Sequence, residues 1–346
     1  MLTIDGSFGE GGGQVLRSSL ALSLVTGNPF RIVDIRRRRS RPGLRKQHLT
    51  AVGAAAAVGG ATVTEVEVGS LELTFAPRLT AGGNYTFSIG TAGSTTLVLQ
   101  TILPALMLAP EASTVILEGG THNPQSPTFE FLERAYLPLV RRMGPNVSAT
   151  LERPGFYPAG GGRMVVSIKP NPTLRPLNLL DRGPIREHRA KASVANLPRH
   201  IAEREIETLL RKLRWDRSCF AIEELTDVDG PGNVVIVELI AEHVTEVFAG
   251  FGQKGVPAEA VARHLGAEVK EYLRADVPVG RYLGDQLVLL NAVAGGGTFR
   301  TLSPTTHLTT QLAVIREFLG FEVGLTEERA GAWLVEVPTG AARVES

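Results

Sequence analysis

One cysteine, Cys219, is present in 346 residues. That excludes a disulfide framework and any zinc or iron–sulfur site built from several thiolates. No apolar run reaches the ~18 residues that a membrane span requires. The N-terminal MLTIDGSFGEGGG also lacks the basic segment and apolar stretch of a secretory signal. A soluble, cytoplasmic protein with no membrane partner is expected. Excess charge of one sign is missing too, because 36 basic residues face 35 acidic ones for a net charge of +1. A uniformly basic coat for nucleic acid is therefore excluded, although a local site is not. Six of the seven histidines (His48, His122, His188, His200, His243 and His264) are scattered without a metal-ligand spacing such as H-E-x-x-H.

What is present is apolar material and glycine. Hydrophobic residues make up 43% and charged residues 21%, enough for a large core and against wholesale disorder. The length exceeds one ordinary domain of ~100–200 residues, so at least two units are expected. The 38 glycines follow no G-X-Y period and form no low-complexity tract. They belong to individual turns and close backbone approaches.

Three stretches share a pattern: a polar turn, an apolar helix-period run, a small-residue break and a strand-like segment. They begin at Gly11, Gly93 and Gly284, and aligning their turns puts Gln14, Thr96 and Gln286 in register, 82 and 190 residues apart. A second helical stretch follows in each and ends in glycine, which suits a helix C-cap. Those glycines, Gly60, Gly144 and Gly320, stand 84 and 176 residues apart. Both markers agree on a unit of about 83 residues, with about 92–108 extra residues between the second and third copies. Each unit reads strand–helix–strand–helix–strand–strand. Thr62 to Phe75 and GGRMVVSIKP alternate as hairpin strands do. The fold class expected is α/β, with three repeated βαβαββ modules packed together and a smaller inserted α/β domain between the second and third modules.

Residues 1–183 plus 281–346 then form the large domain and 184–280 the inserted one, Arg182-Gly183-Pro184 marking an exposed boundary. Inside the insertion, HIAEREIETLLRKLRW places Ile201, Ile206, Leu209 and Leu213 on one helical face. A turn and buried strand (DVDGPGNVVIVELI) and a second helix (AEAVARHLGAEVKEYLRA) follow.

Four segments could carry chemistry. GEGGGQVLRS sets glycines directly before a helix, where backbone N–H groups and the helix dipole can receive an anion. Glu10 there could hold a cation that balances polyphosphate charge, and the bland reading is a tight strand–helix turn. IRRRRSRPGLRKQHL places seven of the 36 basic residues between positions 36 and 46. If it begins as a strand, Arg36 and Arg38 face one side and Arg37 and Arg39 the other. Arginine forks suit phosphate, and Asp34 is the one acidic neighbour, so a phosphate or nucleic-acid contact outweighs a merely solvated charge run. His307, in SPTTHLTTQL, falls at a helix start that disfavours imidazolium, which leaves a neutral ring able to attack phosphorus. Tyr282-Leu283-Gly284-Asp285-Gln286 could hold a purine by stacking, although Asp is also a common helix N-cap.

Taken together, GEGGGQVLRS, RPGLRKQHLTAVGAAA, GSTTLVLQTILPAL, GGTHNPQSP, GFYPAGGG, LPRHIAEREI, DGPGN, YLGDQLVLL and THLTT resemble, in this order from Gly9 to Thr310, the RNA 3′-terminal phosphate cyclase family. The family's architecture is three βαβαββ modules and an inserted α/β domain, as the spacings independently suggest. The resemblance implies an ATP-dependent conversion of an RNA 3′-phosphate end to a 2′,3′-cyclic phosphate. His307 would become adenylylated. Glu10 matches the metal-associated carboxylate for a divalent cation, Mg2+ or Mn2+. Arg17, Arg36 and Arg39 match phosphate-contacting arginines, and Gln47 belongs to the same motif. Gln100, Pro127, Tyr282, Leu283, Gly284, Asp285 and Gln286 match the nucleotide pocket, with Tyr282 stacking on adenine opposite Pro127, and Asp285 is also grouped with the catalytic set.

Departures are small: Pro154 stands where relatives usually carry a basic residue, and Gly284 where many carry Ala. Some relatives are non-catalytic RNA-processing factors that lack the histidine nucleophile, so His307 favours an enzyme over an RNA-binding assembly factor. A carboxyvinyl transferase built on related modules is the third class considered, on fold analogy alone. The oligomeric state stays open, a homodimer included.

Overall fold

The computed structural model describes residues 1–340. The first group of elements comprises β1 (Leu2–Asp5), α1 (Gly13–Thr26), β2 (Phe30–Val33), α2 (Lys46–Gly59), β3 (Thr62–Val63) and β4 (Leu73–Ala76). The second comprises β5 (Gly83–Ser88), α3 (Thr95–Leu106), β6 (Ser113–Gly119), a π-helical turn (Phe131–Tyr136) running into α4 (Leu137–Arg142), β7 (Asn146–Arg153) and β8 (Gly162–Lys169). After β9 (Asn178–Leu179) come β10 (Ile185–Ala195), α5 (His200–Leu213), β11 (Phe220–Leu225), β12 (Gly232–Ala241), β13 (Thr245–Phe251) and α6 (Ala258–Ala275). The chain ends with α7 (Arg281–Val293), β14 (Gly297–Thr301), α8 (Thr306–Leu319), β15 (Gly324–Arg329) and β16 (Ala332–Val337).

Four four-stranded sheets result. Three have the orders β1-β2-β4-β3, β5-β6-β8-β7 and β9-β14-β16-β15. In each of these the first pair is parallel and the other two pairs are antiparallel. The fourth, β11-β10-β12-β13, belongs to the inserted stretch. The sheet pairing moves the insertion point. β9 pairs in parallel with β14, so the extra residues interrupt the third group after its first strand and do not lie between the second and third groups. A two-residue strand has no period to read, which hides it in the sequence.

Helix α1 explains how the groups hold together. It packs against α2, α3, α7 and α8, and residues on all its sides are buried. Ser18, Ser19 and Ser23 are among them, small enough to let neighbouring helices approach. The helix ends at Gly27, which adopts φ +72°, a left-handed cap that glycine takes without a Cβ penalty. Gly60 and Gly320 close α2 and α8 the same way, while Gly144 stands two residues beyond Arg142, the last residue of its helix.

The inserted sheet is buried on both faces. Along β12, Val235, Val237 and Leu239 face a cluster with Ile206, Leu209 and Leu265 of α5 and α6. The alternate residues Val234 and Ile236 join the main core. The sequence-expected face of α5 is as read, with Ile206, Leu209 and Leu213 buried and Ile201 packed beside them. Gly232 meets the Phe156 ring, where a Cβ would lie 2.2 Å from a ring carbon. Among the described residues no helix is long and apolar enough to cross a membrane.

The expected strand through the arginine run does not form. Residues 34–40 make turns, with Asp34 at φ +54° and Arg36 at φ +53°. Among the described residues no strand pairs with this segment, and Arg36 instead donates to the carbonyls of Arg41 and Gly43, each at 2.8 Å. The Thr62 to Phe75 hairpin is also shorter than its alternation suggests, since only β3 and β4 pair.

Phe30 is fully buried in β2, with Phe75 at 5.9 Å and the edge of Phe318 from α8 at 5.6 Å between ring centroids. It therefore joins the first group to the third. Phe30→Ala should lower unfolding free energy by about 3–5 kcal/mol in a urea titration.

Candidate active site

The site begins at the turn between β1 and α1. Gly9 has φ +58°, and a Cβ there would sit 2.2 Å from Thr310 Oγ1, so the turn lies flat on the first turns of α8. The Glu10 N–H donates to Thr310 Oγ1 at 2.9 Å and locks this contact. The Glu10 carboxylate pairs with Arg39, whose Nη2 also donates to the Glu10 carbonyl at 2.9 Å. The other carboxylate oxygen, Oε2, is buried without a partner. At Gly13 a Cβ would lie 2.6 Å from both Arg17 Nη1 and His48 Nε2, so glycine admits these two side chains to the helix start.

Arg17 is 7% exposed and sits where α1, α3 and α7 meet. Its Nη2 donates to Gln14 Oε1 at 2.7 Å and its Nε to Gln100 Oε1 at 3.3 Å. Gln100 Nε2 passes the chain on to Gln286 Oε1 at 2.5 Å. Burial lowers the Arg17 pKa to about 10, which leaves it charged at neutral pH. Burial, aided by Arg17, Arg36 and Arg45, pushes His48 down to about 3. His48 is therefore neutral, and its Nδ1 accepts the Arg45 N–H at 3.0 Å.

Helix α8 brings His307 to the same place. Thr305 caps it, its hydroxyl accepting from Leu308 N–H at 3.0 Å and donating to Asp285 Oδ1 at 2.7 Å. One hydroxyl thus fastens α8 to α7. Half-buried His307 is held below its ordinary pKa, first by desolvation and then by the charges of Arg17 and Arg39. Asp285 is pushed up to about 7 by burial, with Thr305 and Arg281 opposing.

These groups line one cavity of about 990 Å³. Glu10, Arg17, Arg36, Arg39, Pro127, Tyr282, Asp285, Gln286 and His307 all reach it, as does Gln47, whose Oε1 also accepts the Ser94 N–H at 2.8 Å. Gln100 lies just behind the wall, in the small buried pocket with Gln14, Arg17 and Gln286. Leu283 and Gly284 do not join them: Leu283 is fully buried in the core and Gly284 faces Thr301 and Phe299. The helical period accounts for this, since 282, 285 and 286 share the face of α7 opposite to 283 and 284.

The cavity also contains residues that motif reading passed over. His48 shows no metal-ligand spacing in the sequence, and its position directly after Gln47 is the one local signal for it. Arg45 and Phe131 line the wall, and so does the inserted stretch, through Val247 and Phe251 of β13 and Val261 of α6. No local signal in the sequence announces that wall. One side chain anchors it to α7: Glu246 accepts the N–H of Gly280, the residue before α7, at 2.6 Å. Among the described residues no group of three or more His, Cys, Asp and Glu gathers as a ready-made metal cage.

A carboxylate with a spare oxygen, clustered arginines and a neutral imidazole in one cleft define an α/β enzyme equipped for phosphate chemistry. The chain belongs to the RNA 3′-terminal phosphate cyclase family, whose profile matches residues 8–325. Curated RNA 3′-terminal phosphate cyclases of Koribacter versatilis and Ralstonia nicotianae are 48% and 49% identical over 95% of this chain and 92% and 94% of their own lengths. That of Ectopseudomonas mendocina is 47% identical over 98% of both. Among solved structures, the enolpyruvyl transferase NikO from Streptomyces tendae aligns with 99% of this chain and 49% of its own at 12% identity, but the TM-score of 0.37 supports no argument.

Glu246 makes the pH response of this scaffold predictable. It is 2% exposed, and burial raises its pKa to about 8 against an ordinary 4.5. Between those values the folded state holds a proton that the unfolded chain releases, so the contribution of Glu246 to stability falls as pH rises from about 5 to 8. Glu246→Gln should flatten that decline in denaturant titrations at pH 5, 6, 7 and 8.

Proposed function

We propose that this enzyme converts an RNA 3′-phosphate to a 2′,3′-cyclic phosphate with ATP as co-substrate, and that His307 is the nucleophile. The observation that carries the reading is His307 itself, an imidazole held neutral beside Arg17 and Arg39 in the cavity that Glu10 borders. A neutral ring nitrogen attacks the α-phosphorus of ATP, the bond to the β-phosphate oxygen breaks, and diphosphate leaves. An oxygen of the RNA 3′-phosphate then attacks the histidine-bound phosphorus and takes AMP from the ring. The neighbouring 2′-OH attacks the activated 3′-phosphorus, loses its proton and expels AMP. Adenylylation gives the RNA 3′-phosphate, which by itself has no good leaving group, an AMP to expel.

Arg17, Arg36 and Arg39 bear the charge that builds on the phosphoryl oxygens, and burial strengthens Arg17 most. The unpartnered Oε2 of Glu10 fits a divalent cation, Mg2+ or Mn2+, of the kind held by one carboxylate and substrate phosphates. When bound, the cation supplies further charge neutralisation there. Pro127 and Tyr282 flank the place for adenine, with Asp285 and Gln286 beneath it and Gln100 behind.

The shared strand order of three sheets supports reading them as three βαβαββ modules, the inserted α/β domain being 184–280 within a large domain of 1–183 and 281–346. A cytoplasmic setting fits this chemistry.

Incubation with α-labelled ATP and Mg2+ should label the protein through an acid-labile, alkali-stable bond. If wild type labels no better than His307→Ala, the covalent route is wrong. RNA ending in a 2′-deoxynucleoside 3′-phosphate should accept AMP and fail to cyclise.

A further inference from the structure

Phe8 is among the few large apolar side chains left in solvent, 49% exposed. Single exposed apolar residues are ordinary. The position of this one is not. It stands two residues before Glu10, in the turn that lies on α8 through Thr310, three residues after His307. The same turn runs alongside the arginine turn and is tied to it on both sides of Phe8. Gly6 N–H donates to the Val33 carbonyl at 2.7 Å, and Arg36 N–H to the Gly6 carbonyl at 3.3 Å. Beyond Phe8, Arg39 holds the Glu10 carbonyl. Among the described residues no aromatic ring stacks on Phe8.

The arginine turn has its own unused groups. Arg37 pairs with Asp34 and Arg39 with Glu10. Arg38 and Arg41 are exposed and make no ion pair among the described residues. An open ring on one turn and two unpaired guanidiniums on the turn hydrogen-bonded to it are the two elements that hold a single nucleic-acid strand, the ring against a base and the cations against its backbone.

We propose that Phe8 is the stacking platform for the base of the RNA 3′-terminal nucleotide, and that Arg38 and Arg41 contact backbone phosphates upstream of it. The proposal rests on the cyclase reading of the adjoining cavity. Phe8 does not line that cavity, so the terminal 3′-phosphate enters beside His307 while its base stays on the rim. A π face is common to all four bases, so this grip accepts any terminal base.

The test is steady-state kinetics on a short single-stranded RNA 3′-phosphate, run beside ATP-dependent self-labelling without RNA. Phe8→Ala should raise the RNA KM by about 5- to 150-fold, with self-labelling and the ATP KM unchanged. Phe8→Trp should restore the RNA KM, and Phe8→Leu, apolar but not planar, should not. With an abasic 3′-terminal nucleotide the difference between wild type and Phe8→Ala should vanish. Arg38→Ala combined with Arg41→Ala should make the RNA KM less steeply dependent on salt. Equal RNA KM for wild type and Phe8→Ala, or a difference that survives the abasic substrate, overturns the stacking. A wild type that never turns over 3′-phosphate RNA sinks the cyclase reading instead. Fluorescence anisotropy of the same RNA then reads the Phe8 variants, and equal affinity for wild type and Phe8→Ala overturns the proposal.

Discussion

Arg17 carries a positive charge into the junction of three helices, and the surrounding structure is arranged to keep that charge solvated by side-chain oxygens. Gln14 and Gln100 accept its N–H groups, and Gln286 extends the chain to α7. Neutral amides suit this place better than carboxylates would. They satisfy the donors but leave the charge uncancelled, so it still acts on His48 and His307. The same guanidinium that knits α1 to α3 and α7 therefore adds to the desolvation that holds both cavity histidines below their ordinary pKa. A guanidinium placed on the surface would do neither, because water would screen it.

The inserted stretch contributes more than bulk. It leaves the main chain after β9 and returns at Gly280, directly before α7. Its β13 holds that return through Glu246. Burying β12 on both faces makes the insertion continuous with the main core. Thr305 completes the arrangement by coupling α7 to the cap of α8 through a single hydroxyl.

Much of the fold was legible because its signals are local. Glycine after an apolar helical run meant a left-handed cap at Gly60 and Gly320, where any Cβ is strained. The strand–helix alternation gave α/β layers, and the face of α5 followed from a period of 3.6. Elsewhere tertiary context overrides the local signal. The arginine run has residues able to form a strand but no partner edge, so it folded as a turn. Leu283 and Gly284 sit inside a motif that touches the cavity, yet the helix turns them toward the core.

By itself the sequence determined the α/β class, the glycine-bounded helices, the placement of His307 in a helix's first turn and the family to which the chain belongs. Those depend on residue identity and short-range spacing, which survive without coordinates. Only the tertiary structure decided that β9 pairs with β14, that the inserted sheet walls the cavity and that His48 faces Arg17. It also decided that Phe8 stays open on the rim. Each of these is a contact between residues far apart in the chain, created by packing three groups of elements around α1, and no local pattern encodes it.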